Sequence, residues 1–227
     1  GSSSGTATAN TADNVTTGTS TVTNSIASIS GGNFENLVKS TVSVSTTVTD
    51  EPVADVTTVS LSATPSIAEG GSIIYTATLT NAAASPVTVN LSNGQTITIG
   101  SGNTTGSVSV AAPTDDVDVD AGSVSATIST ATGGGFEQLD VNSAAATTAV
   151  TDTIDTVTAT LSASGSVAEG TPITYTVSLP NVVTGSAVVV TLSNGETVTI
   201  PVGSSSGTAT ANTADNVTTG TSTVTNS

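Results

Sequence analysis

Residues 73–79 read Ile-Ile-Tyr-Thr-Ala-Thr-Leu. Ile73, Tyr75, Ala77 and Leu79 alternate with Ile74, Thr76 and Thr78. A period of two sends one set to a core and the other away from it, as in a strand buried on one face. The flanks repeat the pattern. Upstream, Val59, Leu61 and Ala63 alternate with Ser60, Ser62 and Thr64. Downstream come Val87, Val89 and Leu91, then Ile97 and Ile99, then Val108 and Val110, then Val124, Ala126 and Ile128. A last strand falls near residues 147–150. Asn93-Gly94 is a two-residue hairpin signal, because both central positions of a type I′ turn need positive φ. No useful stretch carries a helical apolar period. Short strands, each followed by a turn, predict an all-β sandwich.

Composition bounds the core and the partners. Hydrophobic residues are 35% and aromatics 2%, so the core must be built from Val, Ile, Leu and Ala. Seventeen acidic residues face one base, Lys39, for a net charge of −16. Nucleic acid and anionic membrane both demand a cationic surface and are excluded as partners. Acidic chains poor in aromatics are often disordered, but the clean alternation argues for a fold. There is no cysteine, hence no disulfide framework. No apolar run has the length of a membrane-spanning helix. Gly1 is not a natural start, so the chain reads as a piece of something longer.

The sequence is also periodic. Residues 1–25 recur without change at 203–227. A weaker repeat of half that length lies inside: 61–63 and 68–70 match 161–163 and 168–170, Leu91-Ser92-Asn93-Gly94 matches Leu192-Ser193-Asn194-Gly195, and Val48-Thr49-Asp50 matches Val150-Thr151-Asp152. The unit is about a hundred residues, the size of an immunoglobulin-like sandwich. The expected organisation is the C-terminal half of one repeat at 1–55, a complete repeat at 56–155 and the N-terminal part of the next at 156–227. These tandem immunoglobulin-like β-sandwich domains would be joined end to end by short acidic linkers. The outer pieces would be completed by another copy or by continuation of a longer chain, and the duplicated 25 residues weigh toward continuation.

Strand counting places the carboxylates. Glu69 in the first turn, the loop Asp115, Asp116, Asp118 and Asp120, and the linker residues Asp152 and Asp155 fall at the C-terminal pole of the central repeat. The loop at 133–140, with Glu137 and Asp140, returns to the N-terminal pole beside the linker Asp50, Glu51 and Asp55. Asp13, Glu35, Glu169 and Asp215 occupy matching places in the outer pieces. Their neighbourhood is thinner: 13–18 read Asp-Asn-Val-Thr-Thr-Gly where 115–120 read Asp-Asp-Val-Asp-Val-Asp, and 215–220 repeat the thinner version. Isolated acidic residues are ordinarily solvated surface charges, and Glu196 is read as one. Converging carboxylates without a base repel unless solvated or bound to a hard cation. Calcium accepts six to eight oxygens in irregular geometry, magnesium needs a tighter octahedron, and zinc wants His or Cys. The expected cofactor is therefore Ca²⁺ at the junctions.

Catalysis has no constellation. Serine and threonine abound, but without His or Cys there is no triad, and Lys39 stands alone as a base. Paired carboxylates can cleave glycosides, but such sites use aromatic sugar platforms, and the chain has two Tyr and two Phe. Tyr75 and Tyr175 lie on the inward stripe of their strands. Phe34 and Phe136 open the same loop in successive units and are expected to anchor it. Gly133-Gly134-Gly135 lacks the strand-to-helix setting of a phosphate loop. The chain is not expected to be an enzyme.

The segments 66–71 (Ser-Ile-Ala-Glu-Gly-Gly), 74–80 (Ile-Tyr-Thr-Ala-Thr-Leu-Thr), 91–94, 115–128 and 150–155 (Val-Thr-Asp-Thr-Ile-Asp) together resemble the extender repeats of giant RTX adhesins. These are similar to the large adhesion proteins of biofilm-forming Gammaproteobacteria and to a marine ice-binding adhesin. The resemblance implies an immunoglobulin-like sandwich, calcium at domain junctions, type I secretion to the bacterial cell surface and a passive spacing role. The partners would be neighbouring repeats of the same polypeptide, with no membrane insertion and with the distal ligand bound by other domains. The alternatives are that the repeats bind carbohydrate or another cell directly, against which stands the lack of Trp, Tyr and Arg in the loops, or that they space a secreted hydrolase.

Overall fold

The computed structural model describes residues 2–215 and 220–225, and among these every regular element is a β-strand. The matching stretch at 215–220 is described only at its ends. The chain divides into two compact units, Gly1–Thr114 with Ala121–Thr151, and Asp115–Asp120 with Asp152–Ser227.

The first unit begins with an antiparallel ribbon of β1 (Thr19–Ser25) and β2 (Ser43–Thr49), in which Thr19 faces Thr49 and Ser25 faces Ser43. Ten strands follow: β3 (Val56–Ala63), β4 (Ser66–Ala68), β5 (Ser72–Leu79), β6 (Val87–Leu91), β7 (Thr96–Ile99), β8 (Thr105–Ala111), β9 (Gly122–Ala126), β10 (Ile128–Gly133), β11 (Gln138–Val141) and β12 (Ala146–Thr151). One layer has the order β11-β3-β5-β8. The other is built of β4-β12-β9 and β10-β6-β7. β9 and β10 are one strand bent at Thr127, whose carbonyl accepts from the Ser92 amide and whose amide donates to Ser92 Oγ. The bend lets one strand pair first with β12 and then with β6.

The alternating residues of both layers meet in one core. Val59, Ile73, Tyr75 and Ala77 from one sheet and Val87, Val89, Ile97 and Ile99 from the other are fully buried. Burial in β5 alternates as the sequence requires, with Ile73, Tyr75, Ala77 and Leu79 inside and Ile74 exposed. Tyr75 is packing, and burial pushes its pKa up. Gly106 is needed where β8 crosses β7, since a Cβ there would lie 2.5 Å from the Thr98 carbonyl oxygen.

Three details differ from the sequence reading. The stretch Val124–Ile128, read as one strand, is broken at Thr127. β4 and β11 were not expected; each adds a parallel pairing, β4 to β12 and β11 to β3, that strand-to-strand hairpin logic does not generate. The Asn93-Gly94 hairpin is not type I′. Only Gly94 has positive φ, at 82°. The Gly94 amide donates to the Leu91 carbonyl and Leu91 pairs with Gln95, so Ser92 and Asn93 form an ordinary turn and Gly94 takes the left-handed step of a three-residue loop.

The second unit carries β13 (Thr160–Ala163), β14 (Pro172–Ser178), β15 (Val188–Thr191), β16 (Thr197–Ile200) and β17 (Ser206–Asn212), in sheets β13-β14-β17 and β15-β16. Its core is Tyr175, Val177, Val183, Leu192, Val198 and Ile200. No helix among the described residues is long and apolar enough to cross a membrane.

The identical 25-residue segments are ordered in opposite halves. Ser206–Asn212 is strand β17, while the same sequence at Ser4–Asn10 forms no strand. Thr19–Ser25 is strand β1, while its copy at 221–225 is not a strand.

A candidate metal centre

The site at the N-terminal end of the central repeat is assembled by backbone pairing from three segments of the first unit. β11 runs parallel to β3 with Gln138 opposite Val56. That register sets Glu137 and Asp55, the residues just before each strand, side by side. The Asp55 amide donates to Glu137 Oε2 at 2.8 Å. The third segment is 13–18. Thr16 bridges Phe136, the Thr17 amide donates to the Gly135 carbonyl, and the Glu137 amide donates to the Val15 carbonyl. Val15 packs on the central core, and Phe136 is buried in it. Phe136 thus anchors its loop as expected, whereas Phe34 is 70% exposed and anchors nothing.

This stitching brings Asp13, Glu51 and Asp55 together, with one carboxylate oxygen from each within 4.8 Å of the others. Asp50 beside them accepts a hydrogen bond from the Gly18 amide at 2.9 Å. A half-open concavity of about 490 Å³ is lined by Asp13, Asn14, Asp50 and Glu51 with small polar neighbours. Glu137 Oε1 is sealed from solvent and has no hydrogen-bond partner. Glu51 has a raised pKa. A backbone hydrogen bond of its own opposes the rise and is outweighed by partial desolvation, by repulsion from Asp13 and Glu137 and by a side-chain hydrogen bond with Asp13. No cation relieves the crowding, since Lys39, the sole base, donates to the carbonyls of Ile26 and Ala27 at 3.1 and 3.0 Å.

The other sequence-predicted residues sort by place. Asp140 lies outside this group, on β11, and accepts from Gln138 Nε2 at 2.9 Å. Glu35 is exposed in a segment without strands and lies outside the group as well. Glu69 is buried at 7% exposure in the turn between β4 and β5. Its amide donates to the Thr151 carbonyl, and the Gly70 amide to the Pro113 carbonyl, which ties that turn to the ends of β12 and β8.

In the second unit, Asp120 and Asp152 bring carboxylate oxygens within 4.8 Å of one another, and Asp152 Oδ1 is sealed from solvent without a partner. The pair repeats the Gly18–Asp50 contact 102 residues on, with a carboxylate added where the earlier segment has glycine. Asp115 accepts from the Thr153 hydroxyl, as Asp13 hydrogen-bonds Glu51 in the matching place. Asp116 Oδ1 accepts from the Asp118 amide at 2.7 Å, and Asp118 accepts from the Thr184 hydroxyl. Asp155 is exposed. Glu169 is exposed too, and the turn it shares with Gly170 approaches Asp215: a Cβ at Gly170 would lie 3.6 Å from that of Asp215.

The donor set at the first group is oxygen only and anionic. The concavity beside it is lined by no His, Cys or aromatic residue. The donor set fits a hard cation. Fold and site together define an all-β module of small packed sheets with clustered carboxylates. The chain belongs to the LapA domain family, the family of large adhesion proteins, whose model matches residues 55–153 and again 155–227. Membership points to part of a large bacterial adhesin of non-catalytic kind. No curated protein matches the chain.

Proposed function

We propose that the chain is a calcium-stiffened extender of a bacterial surface adhesin, one that holds a distal ligand-binding domain away from the cell. The observation that carries this reading is the Asp13–Glu51–Asp55 group with Glu137 at its side. Its members come from the end of one repeat, from the linker and from the loop of the next, so an ion held among them ties the three segments together. Without an ion, the crowded carboxylates and the sealed Glu137 oxygen weaken the junction. With calcium they become its strongest point. Secretion to the cell surface and contact with neighbouring repeats belong to the same reading. Nothing in the site favours direct carbohydrate binding, since aromatic residues are 2% of the chain and both tyrosines are buried.

The test is thermal unfolding in EDTA, in several millimolar calcium and in magnesium. Extracellular calcium modules bind at about 10⁻⁴–10⁻³ M. Linkage then adds about 1–2 kcal/mol per occupied site. Calcium should raise the Tm by about 5–10 °C for a domain of this size, and magnesium by less. Equal melting in calcium and EDTA refutes the reading.

A further inference from the structure

We infer that the loop at 133–137 is a preformed socket for the extended segment at 14–17, and that the two hold together without any metal. The inference goes beyond the calcium reading and stands on other contacts. Thr16 and Phe136 form an antiparallel bridge. Its two bonds run between backbones: the Thr17 amide donates to the Gly135 carbonyl at 3.0 Å, and the Glu137 amide to the Val15 carbonyl at 3.1 Å. One apolar side chain goes with them, since Val15 packs on the central core. No carboxylate takes part in either bond, so neither needs a cation to form.

The socket is shaped by the central repeat itself. Gly133, Gly134 and Gly135 all have positive φ, at 98°, 85° and 70°. A Cβ on Gly133 would lie 2.3 Å from the Pro86 carbonyl oxygen, and one on Gly134 2.2 Å from the Phe136 ring. The Ala84 and Ser85 amides donate to the Gly134 carbonyl at 2.9 and 3.3 Å, and the Gly134 amide donates to the Pro86 carbonyl at 3.3 Å. These contacts leave the Gly135 carbonyl and the Glu137 amide for the incoming segment. The same turn forms 102 residues earlier, where Gly31 and Gly32 have positive φ and a Cβ on Gly32 would lie 2.6 Å from the Phe34 ring. Phe34 is 70% exposed there, so the local sequence makes this turn even without a core beneath the ring.

The segment is prepared as well. Asn14 Oδ1 accepts from the Thr16 amide at 3.0 Å and from the Thr16 hydroxyl. The amide that the bridge does not use is thereby satisfied, and the Val15 carbonyl and Thr17 amide are presented to the loop. Backbone groups read the extended conformation, and the core reads the apolar side chain at position 15. With both sides shaped beforehand, little conformational freedom is lost on docking. The bridge also sets Asp13, two residues before Val15, and Glu137 beside the acidic group before an ion arrives. A single bridge fixes which residues meet and still lets the segments pivot about it, which leaves the stiffening to the ion.

Amide hydrogen exchange of the whole chain in EDTA, followed residue by residue by NMR, tests this. The Thr17 and Glu137 amides should exchange at least about tenfold more slowly than in an unstructured peptide of the same sequence. Exchange at peptide rates in EDTA, with protection gained only in calcium, overturns the proposal. Val15→Ser removes the apolar contact without adding charge, and Thr17→Pro removes one of the two donors at an extended position that proline accepts. Each variant should return the Glu137 amide to roughly the peptide rate in EDTA. The amides of β5 and β8 should keep their protection, which shows that the central repeat is still folded. Protection at Glu137 that survives both substitutions also overturns the proposal. Exchange in EDTA does not involve the ion, so this result and the calcium melting experiment can fail separately.

Discussion

Glu51 shows what crowding does to one side chain. Against a backbone hydrogen bond that lowers it, its pKa is raised by partial desolvation and then by the repulsion of Asp13 and Glu137. A raised acid pKa means the folded, metal-free chain binds that proton more readily than the unfolded one. The stabilising contribution is present below the unfolded pKa and is lost as pH rises through the folded pKa. Metal-free protein should therefore gain stability as pH falls toward the raised Glu51 pKa. Calcium affinity should fall over the same interval, because proton and ion compete for one oxygen. Isothermal titration with calcium from neutral to mildly acid pH checks this, and Glu51→Gln should flatten the profile. Tyr75 is another residue whose environment departs from the usual. Its hydroxyl is buried with no protein group in hydrogen-bond reach. Stranding a hydroxyl costs about 1–3 kcal/mol, so Tyr75→Phe should leave stability unchanged or raise it by about 1 kcal/mol in urea unfolding.

Among the elements, strand existence was legible and strand partnership less so. Burial alternates in β5, β6 and β7 at the residues the sequence pattern indicates, because a two-residue period is imposed by the pleat alone. β11 was hidden behind three glycines because it is only four residues long, with Leu139 and Val141 as its apolar side chains, and its partner β3 lies some 80 residues away. Yet β11 is the element that sets Glu137 beside Asp55. The β7–β8 crossing was equally silent in the pattern. Gly106 approaches the Thr98 backbone there, and Gly207 meets Thr199 in the same way. Gly106→Ala should destabilise the central repeat by about 1–3 kcal/mol, read from denaturant midpoints, because the clash is with backbone that cannot rotate away.

Over the whole molecule, charge and sequence periodicity place the acidic residues at repeat boundaries, and the fold decides which of them meet. Asp55→Asn removes one carboxylate of the first group and leaves the Asp55 amide free to hold Glu137. This variant should keep its EDTA melting temperature and lose most of the calcium-induced rise attributable to the first group. Small-angle scattering should then show, in calcium, a particle as variable in length as the wild type in EDTA. A variant that stays as extended as wild type in calcium would remove Asp55 from the junction.

The sequence by itself determined the class: all-β, periodic and acidic. Those properties follow from side-chain type and from the local geometry of a strand, which need no knowledge of neighbours. Only the tertiary structure decided which segments are strands where the local signal is equal. The 25 residues at 1–25 and 203–227 are identical, yet Ser206–Asn212 is a strand beside β14 and Ser4–Asn10 is not, while Thr19–Ser25 is a strand beside β2 and its copy at 221–225 is not. A strand's backbone amides and carbonyls are satisfied by another strand, so its existence depends on a partner elsewhere in the chain. The same dependence assembled Asp13, Glu51, Asp55 and Glu137. Their convergence rests on three backbone pairings between distant segments, which no pattern within any one segment contains.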